Sequence, residues 1–260
     1  PFDYVRNVIP VFADIDGDGD KDVLFTGRKG GSETATWFTN DGTGGFTEMN
    51  HVPFEEVNYS SAAFADIDSD GDKDVLITGS NSSFEPSSKL YINDGTGTFQ
   101  ETIGAPFEGV RSGSIAFSDL DGDGDNDLLI AGENNLFDGI AGLYFNDGAG
   151  QFTKGNSSML EGVTRCSIAF ADIDGDGDED LLITGLDNSF DPQLITKLYT
   201  NDGTGAFTEV SNHPLKNVMD SSVAFADVDG DGDQDLLITG EDDSLIGIAR
   251  LYTNDGSGGF

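Results

Sequence analysis

Aspartate occupies alternate positions of one short stretch at Asp14, Asp16, Asp18, Asp20 and Asp22. The pattern returns at Asp66, Asp68, Asp70, Asp72 and Asp74, and at Asp119, Asp121, Asp123, Asp125 and Asp127. It returns again at Asp172, Asp174, Asp176, Asp178 and Asp180, and at Asp227, Asp229, Asp231, Asp233 and Asp235. Numbered from each first aspartate, carboxylates fall at positions 1, 3, 5, 7 and 9, with Gly19 and its counterparts at position 6. Alternate carboxylates in a curling loop converge on one point, the glycine permits the bend, and position 7 can offer its backbone carbonyl. Oxygen-only, hard donors select calcium over zinc or copper. An EF-hand begins the same way but needs a bidentate Glu at position 12. That position holds Phe25, Ile77, Ile130, Ile183 and Ile238, so the loop belongs to a strand pair rather than to a helix. The expectation is up to five Ca²⁺, one per loop, held by these 25 of the 49 acidic residues.

The elements that must carry the loops follow from the spacing. The leading aspartates are 52, 53, 53 and 55 residues apart. A second motif runs in step, at Asn40-Asp41-Gly42, Asn93-Asp94-Gly95, Asn146-Asp147-Gly148, Asn201-Asp202-Gly203 and Asn254-Asp255-Gly256. Each repeat reads as four short strands. The first runs into the aspartate loop, as Ser114 to Phe117 does, and the second is an apolar run such as Asp74 to Thr78. The third is of the Lys89-Leu90-Tyr91-Ile92 type, and the fourth of the Gly-x-Phe-Thr-Glu type. Asn-Asp-Gly reads as a tight hairpin turn between the last two. No sustained 3.6-residue period appears, so the chain is all-β. Four-stranded units at this spacing predict β-propeller blades in a single domain over 1–260, with repeats at 1–52, 53–105, 106–158, 159–213 and an incomplete 214–260. The chain reads as five blades or as part of a larger propeller or array, and a parallel β-helix is the structural rival.

At these residues the chain resembles the FG-GAP/VCBS repeat, known from the integrin α-subunit propeller and from many bacterial secreted proteins. The wording Asp-Leu-Leu-Ile-Thr-Gly … Leu-Tyr-Thr-Asn-Asp-Gly-Thr-Gly is similar to copies in large bacterial surface proteins. The resemblance covers nearly the whole chain and implies calcium-stapled blades, often in adhesion or polysaccharide contexts. It carries over the metal ligands alone. Integrin-type propellers have seven blades, from which five repeats depart.

The chain has 12 basic and 49 acidic residues, a formal charge of −37. That excludes a nucleic-acid binder, which needs a basic footprint, and disfavours an anionic membrane surface. No apolar run is long enough for a membrane-spanning helix. Cys166 stands alone and reads as a buried, inert thiol, and His51 and His213 read as surface-loop residues, so no acid–base set for catalysis is visible and no enzyme is expected. Sites that fill at millimolar calcium suit a secreted or cell-surface protein, and the resemblance points to a bacterial one. Differences between repeats concentrate in 27–36, 79–89, 132–142, 185–197 and 240–250, where Glu33, Glu133 and their acidic neighbours read as solvated. Recognition usually sits in loops on a rigid scaffold; Arg6, Arg111, Arg165, Tyr59 and Trp37 are the candidate ligand contacts. The favoured function is an adhesion or recognition module for glycans or surface proteins. The alternatives are a self-associating subunit of a surface appendage or filament, and an accessory module of a polysaccharide-degrading enzyme.

Overall fold

A computed structural model describes residues 5–49 and 52–260. Among them there is no helix, and every strand pairing is antiparallel. That excludes the β-helix. His51 and Pro1 lie outside the described residues.

Five units follow one another. The first is β1 (Val5–Ala13), β2 (Asp22–Lys29), β3 (Ser32–Asn40) and β4 (Phe46–Glu48). The second is β5 (Asn58–Ala65), β6 (Asp74–Ser80), β7 (Pro86–Asn93) and β8 (Phe99–Glu101). The third is β9 (Arg111–Ser118), β10 (Asp127–Glu133), β11 (Gly139–Asn146) and β12 (Phe152–Lys154). The fourth is β13 (Val163–Ala171), β14 (Asp180–Asp187), β15 (Leu194–Asn201) and β16 (Phe207–Glu209), and the fifth has three strands, β17 (Met219–Ala226), β18 (Asp235–Glu241) and β19 (Gly247–Tyr252). Within each unit the strands pair in chain order. A single bridge, Ile140 to Val163, joins the third and fourth units into one sheet.

The units stack face to face through their first strands, in the series β1, β5, β9, β13, β17. Each interface is a separate core. Ile15, Leu24 and Trp37 of the first unit meet Val75, Ile77, Tyr91 and Phe99 of the second. Ile67, Leu76 and Leu90 then meet Ile115, Leu128, Ile130 and Tyr144. The next two interfaces repeat this with Leu120, Leu129 and Leu143, and with Ile173, Leu182 and Leu198. The apolar strands of the inner units are thus covered on both faces by neighbours, which is why they read as continuous apolar runs rather than alternating ones.

The described residues form no closed ring. The same face of the fifth unit is open: Val228, Leu237 and Leu251 are 53%, 42% and 56% exposed. Their counterparts Ile173, Leu182 and Leu198 are fully buried. Phe12, on the far face of the first unit, is also exposed.

One local expectation changes. The Asn-Asp-Gly turn is longer than a tight hairpin: Asn40 pairs with Phe46 across a five-residue loop. Asp41 Oδ1 accepts the Thr43 and Gly45 amides there and so holds the loop shape itself. Each first strand of units two to five also carries an irregularity, at Tyr59, Ser112, Arg165 and Asp220, all with φ between 45 and 50°.

Candidate metal centre

Each aspartate loop joins the first strand of a unit to its second, at the end of the unit that also holds the Asn-Asp-Gly turn. The position-6 glycines Gly19, Gly71, Gly124, Gly177 and Gly232 have φ from 93 to 98°. That bend is open to glycine and closed to other residues at little cost, and it brings the carboxylates round. Carboxylate oxygens lie within 4.8 Å of one another in Asp14, Asp16 and Asp18, and in Asp66, Asp68 and Asp70. The other three groups are Asp119, Asp121 and Asp127; Asp172, Asp174 and Asp180; and Asp227, Asp229 and Asp235.

The five loop positions do different work. Position 1 accepts backbone amides from within the loop: Asp14 takes the Gly17 and Gly19 N–H groups at 2.9 and 3.0 Å. Asp119, Asp172 and Asp227 do the same. Position 5 accepts the position-7 amide, as Asp18 does from Asp20 at 2.9 Å. Asp70, Asp123, Asp176 and Asp231 repeat it. Position 3 keeps one unmet oxygen in four loops, whereas Asp229 accepts the Asp231 amide at 3.2 Å. Asp16, Asp68, Asp121 and Asp174 each bury Oδ1 with no hydrogen-bond partner, as does Asp66 at position 1. Burial first, and then neighbouring aspartates, pushes Asp16, Asp68, Asp121, Asp174 and Asp229 above the ordinary carboxylate range. Buried acceptors aimed into an acidic cluster with no donor are costly unless a cation meets them. The donor set is therefore oxygen-only and fits a hard divalent cation.

Position 9 is a scaffold group as well as a candidate ligand. Asp127 is fully buried; its Oδ2 accepts the Leu120 amide at 3.0 Å and its Oδ1 the Asn146 amide at 2.9 Å. Asp22, Asp74, Asp180 and Asp235 make the same two bonds, to the second loop residue and to the turn asparagine. Burial raises Asp74, Asp127 and Asp180 to about 6. The structure brings Asp127, Asp180 and Asp235 into the clusters and leaves Asp22 and Asp74 beside them. Position 7 points elsewhere. Asp20, Asp72, Asp125, Asp178 and Asp233 lie against Gly42, Gly95, Gly148, Gly203 and Gly256 of the turns, where a Cβ would sit under 3 Å from a carboxylate oxygen. Their side chains are outside the clusters.

Sequence reasoning missed the side chains that tie this end together. Asn93 Nδ2 donates to the Ile15 carbonyl of the preceding unit at 2.8 Å. Asn146, Asn201 and Asn254 donate likewise to Ile67, Leu120 and Ile173. The hydroxyls of the buried Tyr91, Tyr144 and Tyr199 and of the half-buried Tyr252 accept amides of Glu55, Glu108, Glu161 and Lys216 in the segment leading into their own units. Asn in all five repeats and Tyr in four, with Phe38 in the first, was the available signal.

Several candidates change standing. Trp37 is buried and packs edge-on against Phe99, with ring centroids 6.1 Å apart, so it is a core residue and not a ligand contact. Arg165 pairs with Asp220 of the next unit, and Arg111 with Glu133, Nε to Oε1 being 2.7 Å. Tyr59 and Arg6 remain exposed. Glu133, in that pair, and Glu33, which accepts from Asn58 Nδ2 at 2.7 Å, are not free solvated acids. His213 is half-buried with an unpartnered Nδ1, and burial lowers its pKa. Burial pushes the Cys166 thiol up to about 12, as expected of an inert cysteine.

The family model for the FG-GAP-like repeat matches at residues 14–77, 66–130, 119–183 and 179–238. Each of the first three matches runs from one aspartate loop into the second strand of the next unit, so it spans the interface just described. No curated protein matches the chain. Four such matches, laid over loops and strands that repeat with the same contacts, place this chain in the FG-GAP-like repeat family.

Proposed function

We propose that this chain is an extracellular, calcium-stapled β-propeller module, forming one domain over 1–260, that serves adhesion or recognition of glycans or surface proteins. The observation that carries it is the set of aspartate clusters, four of which hold a buried carboxylate oxygen that no group of the protein meets. Bound calcium supplies the positive charge that lets each cluster stay ionised. The protein's own residues do the rest: positions 1 and 5 fold the loop on its amides, and position 9 fixes it to the neighbouring turn. FG-GAP repeats occur mostly in surface and secreted proteins and are typically non-catalytic, in keeping with a binding role. The acidic end is committed to this staple, which leaves the opposite end, where second strands turn into third strands, for contact with a partner. Glycan and surface-protein arrays probed in millimolar calcium, then in chelator, test the reading. Calcium-dependent capture of a defined class supports it, and a blank from folded protein sinks it.

A second reading, self-association into an appendage, is favoured by one observation: the open face at Val228, Leu237 and Leu251, whose counterparts are all buried between units. Sedimentation across a concentration series tests it. A monomer at every concentration rejects it.

A further inference from the structure

The end opposite the aspartate loops carries large apolar side chains on its hairpin tips. Phe84, Phe137 and Leu245 are 75%, 72% and 69% exposed, and Phe190 is wholly exposed. Leu136 and Ile246 stand beside them, also exposed. Three of these tips are the same loop built three times. Asn81, Asn134 and Asp242 each accept two amides through Oδ1, two and four residues on. Their carbonyls accept the amides of Phe84, Phe137 and Leu245. The loop requires φ of 63, 63 and 55° at those residues, a left-handed conformation that suits Gly or Asn and penalises bulky residues. Folding alone favours a small residue there. In all three units the chain instead holds a large apolar one and leaves most of it in solvent, so neither burial in a core nor backbone geometry accounts for the choice.

The tips are also held in place. Arg111, anchored on Glu133, donates from Nη1 to the Phe84 carbonyl at 3.2 Å and lies over the Phe137 ring at 5.0 Å. One guanidinium thus bridges the tips of two units. Asn188 Oδ1 accepts the Gly139 amide at 3.2 Å and ties the third hairpin to the fourth. Fixed anchors lose little freedom on docking. An acidic residue follows the tip in three units, as Glu85, Asp138 and Asp191. All three are exposed, and their carboxylates make no ion pair among the described residues. Protruding phenyl and isobutyl groups do not grip a sugar through hydrogen bonds. Alternating with free carboxylates, they complement an apolar surface rimmed with cations.

We propose that these tips are anchors for a protein partner whose docking surface is apolar and edged with lysine or arginine. The inference rests on the recognition reading and specifies its partner.

The test uses the full chain in calcium and two short helical peptides: an amphipathic leucine–lysine peptide, and its analogue with serine in place of leucine at equal charge. Titration calorimetry is run on the wild type and on the combined variant Phe84→Asn, Phe137→Asn, Leu245→Asn. Asparagine tolerates the left-handed backbone, so the variant keeps the fold, and its melting temperature is expected to be no lower than the wild type's. Wild-type protein is expected to bind the leucine peptide at least about tenfold more tightly than the serine one, the worth of burying one anchor. The variant is expected to lose that difference. Equal binding of both peptides to wild type would overturn the proposal, as would undiminished preference in the variant. A lower melting temperature in the variant would overturn it too, by making the tips structural. Glycan capture that the variant leaves intact would overturn it while the recognition reading stands.

Discussion

Asp121→Asn distinguishes a metal loop from an acidic turn. Asp121 has a buried, unpartnered Oδ1, and its carboxylate lies within 4.8 Å of those of Asp119 and Asp127. An amide of the same shape removes one charge from this group. At 4.8 Å, each like-charge neighbour costs about 1 kcal/mol in a water-like dielectric and about 3.5 kcal/mol at a protein-surface value. In chelator the variant is therefore expected to be more stable than the wild type, by about 1 kcal/mol or more. Calcium reverses the advantage in a measurable quantity, the stability gained on adding the ion. A site at ten times its Kd adds about 1.4 kcal/mol, and at a hundred times about 2.7. The variant's gain should be smaller by that amount. Urea unfolding at neutral pH, with and without calcium, yields both numbers. Leu143→Ala is the control: it opens the buried interface between the third and fourth units away from the carboxylates and should cost about 2–5 kcal/mol in either condition. If Asp121→Asn left the calcium gain unchanged, or was destabilising in chelator, the loop would not be a metal site.

Three further outcomes follow from the same contacts. Asp74, Asp127 and Asp180 have folded pKa values near 6 against an ordinary 3.8, so the folded state binds their protons more tightly. Stability from that source is complete below the unfolded value and lost as pH rises through about 6. In chelator the protein should thus melt higher near pH 4.5 than at 7.5, and in calcium, which binds the ionised form, the order should reverse. Leu198→Ala should cost about 2–5 kcal/mol because its site is filled between the fourth and fifth units, whereas Leu251→Ala, at the exposed counterpart, should cost under about 1; equal costs in urea unfolding would show the open face to be covered in solution. Asn146→Ala strips the Ile67 carbonyl of its buried donor and should cost about 1–3 kcal/mol, read by the same unfolding assay.

The repeat, its four strands and the converging carboxylates could be read from the sequence because they depend on local spacing. Asp14 and Asp16 lie two residues apart, and the glycine that bends the loop lies between them and Asp20. What escaped was long-range. The partners that saturate Asp127 are 7 and 19 residues away, and the acceptor of Asn146 is 79 residues away in another unit. Nothing in a nine-residue loop announces that its last carboxylate is already bonded. Trp37 was misplaced because a lone Trp stands out as a type. Its register opposite Leu24 puts it in the slot that Leu90, Leu143 and Leu198 fill in later units, and that slot is core. Arg111 and Arg165 read as candidate ligand contacts, yet both pair with acids, one in its own unit and one in the next. Ring closure could not be read at all, since it depends on the angle between units and not on any residue within one.

The second loop residue, Ile15 or its counterpart, explains why so acidic a chain can hold a core. Its side chain is buried in the interface with the next unit, its amide is taken by the position-9 aspartate, and its carbonyl is taken by the next unit's asparagine. One residue is therefore clamped by the loop on one side and by the neighbour on the other. Opening the loop moves that amide and carbonyl together, and so frees a buried asparagine in the following unit as well. The charge gathered in each loop is thus coupled mechanically to the packing between units. A cation that quiets the loop stabilises an interface whose apolar side chains it never touches. In a stack whose units meet only their neighbours, stability is a sum over such interfaces. The aspartates that look like a liability in composition are then the groups through which a bound cation would set that sum.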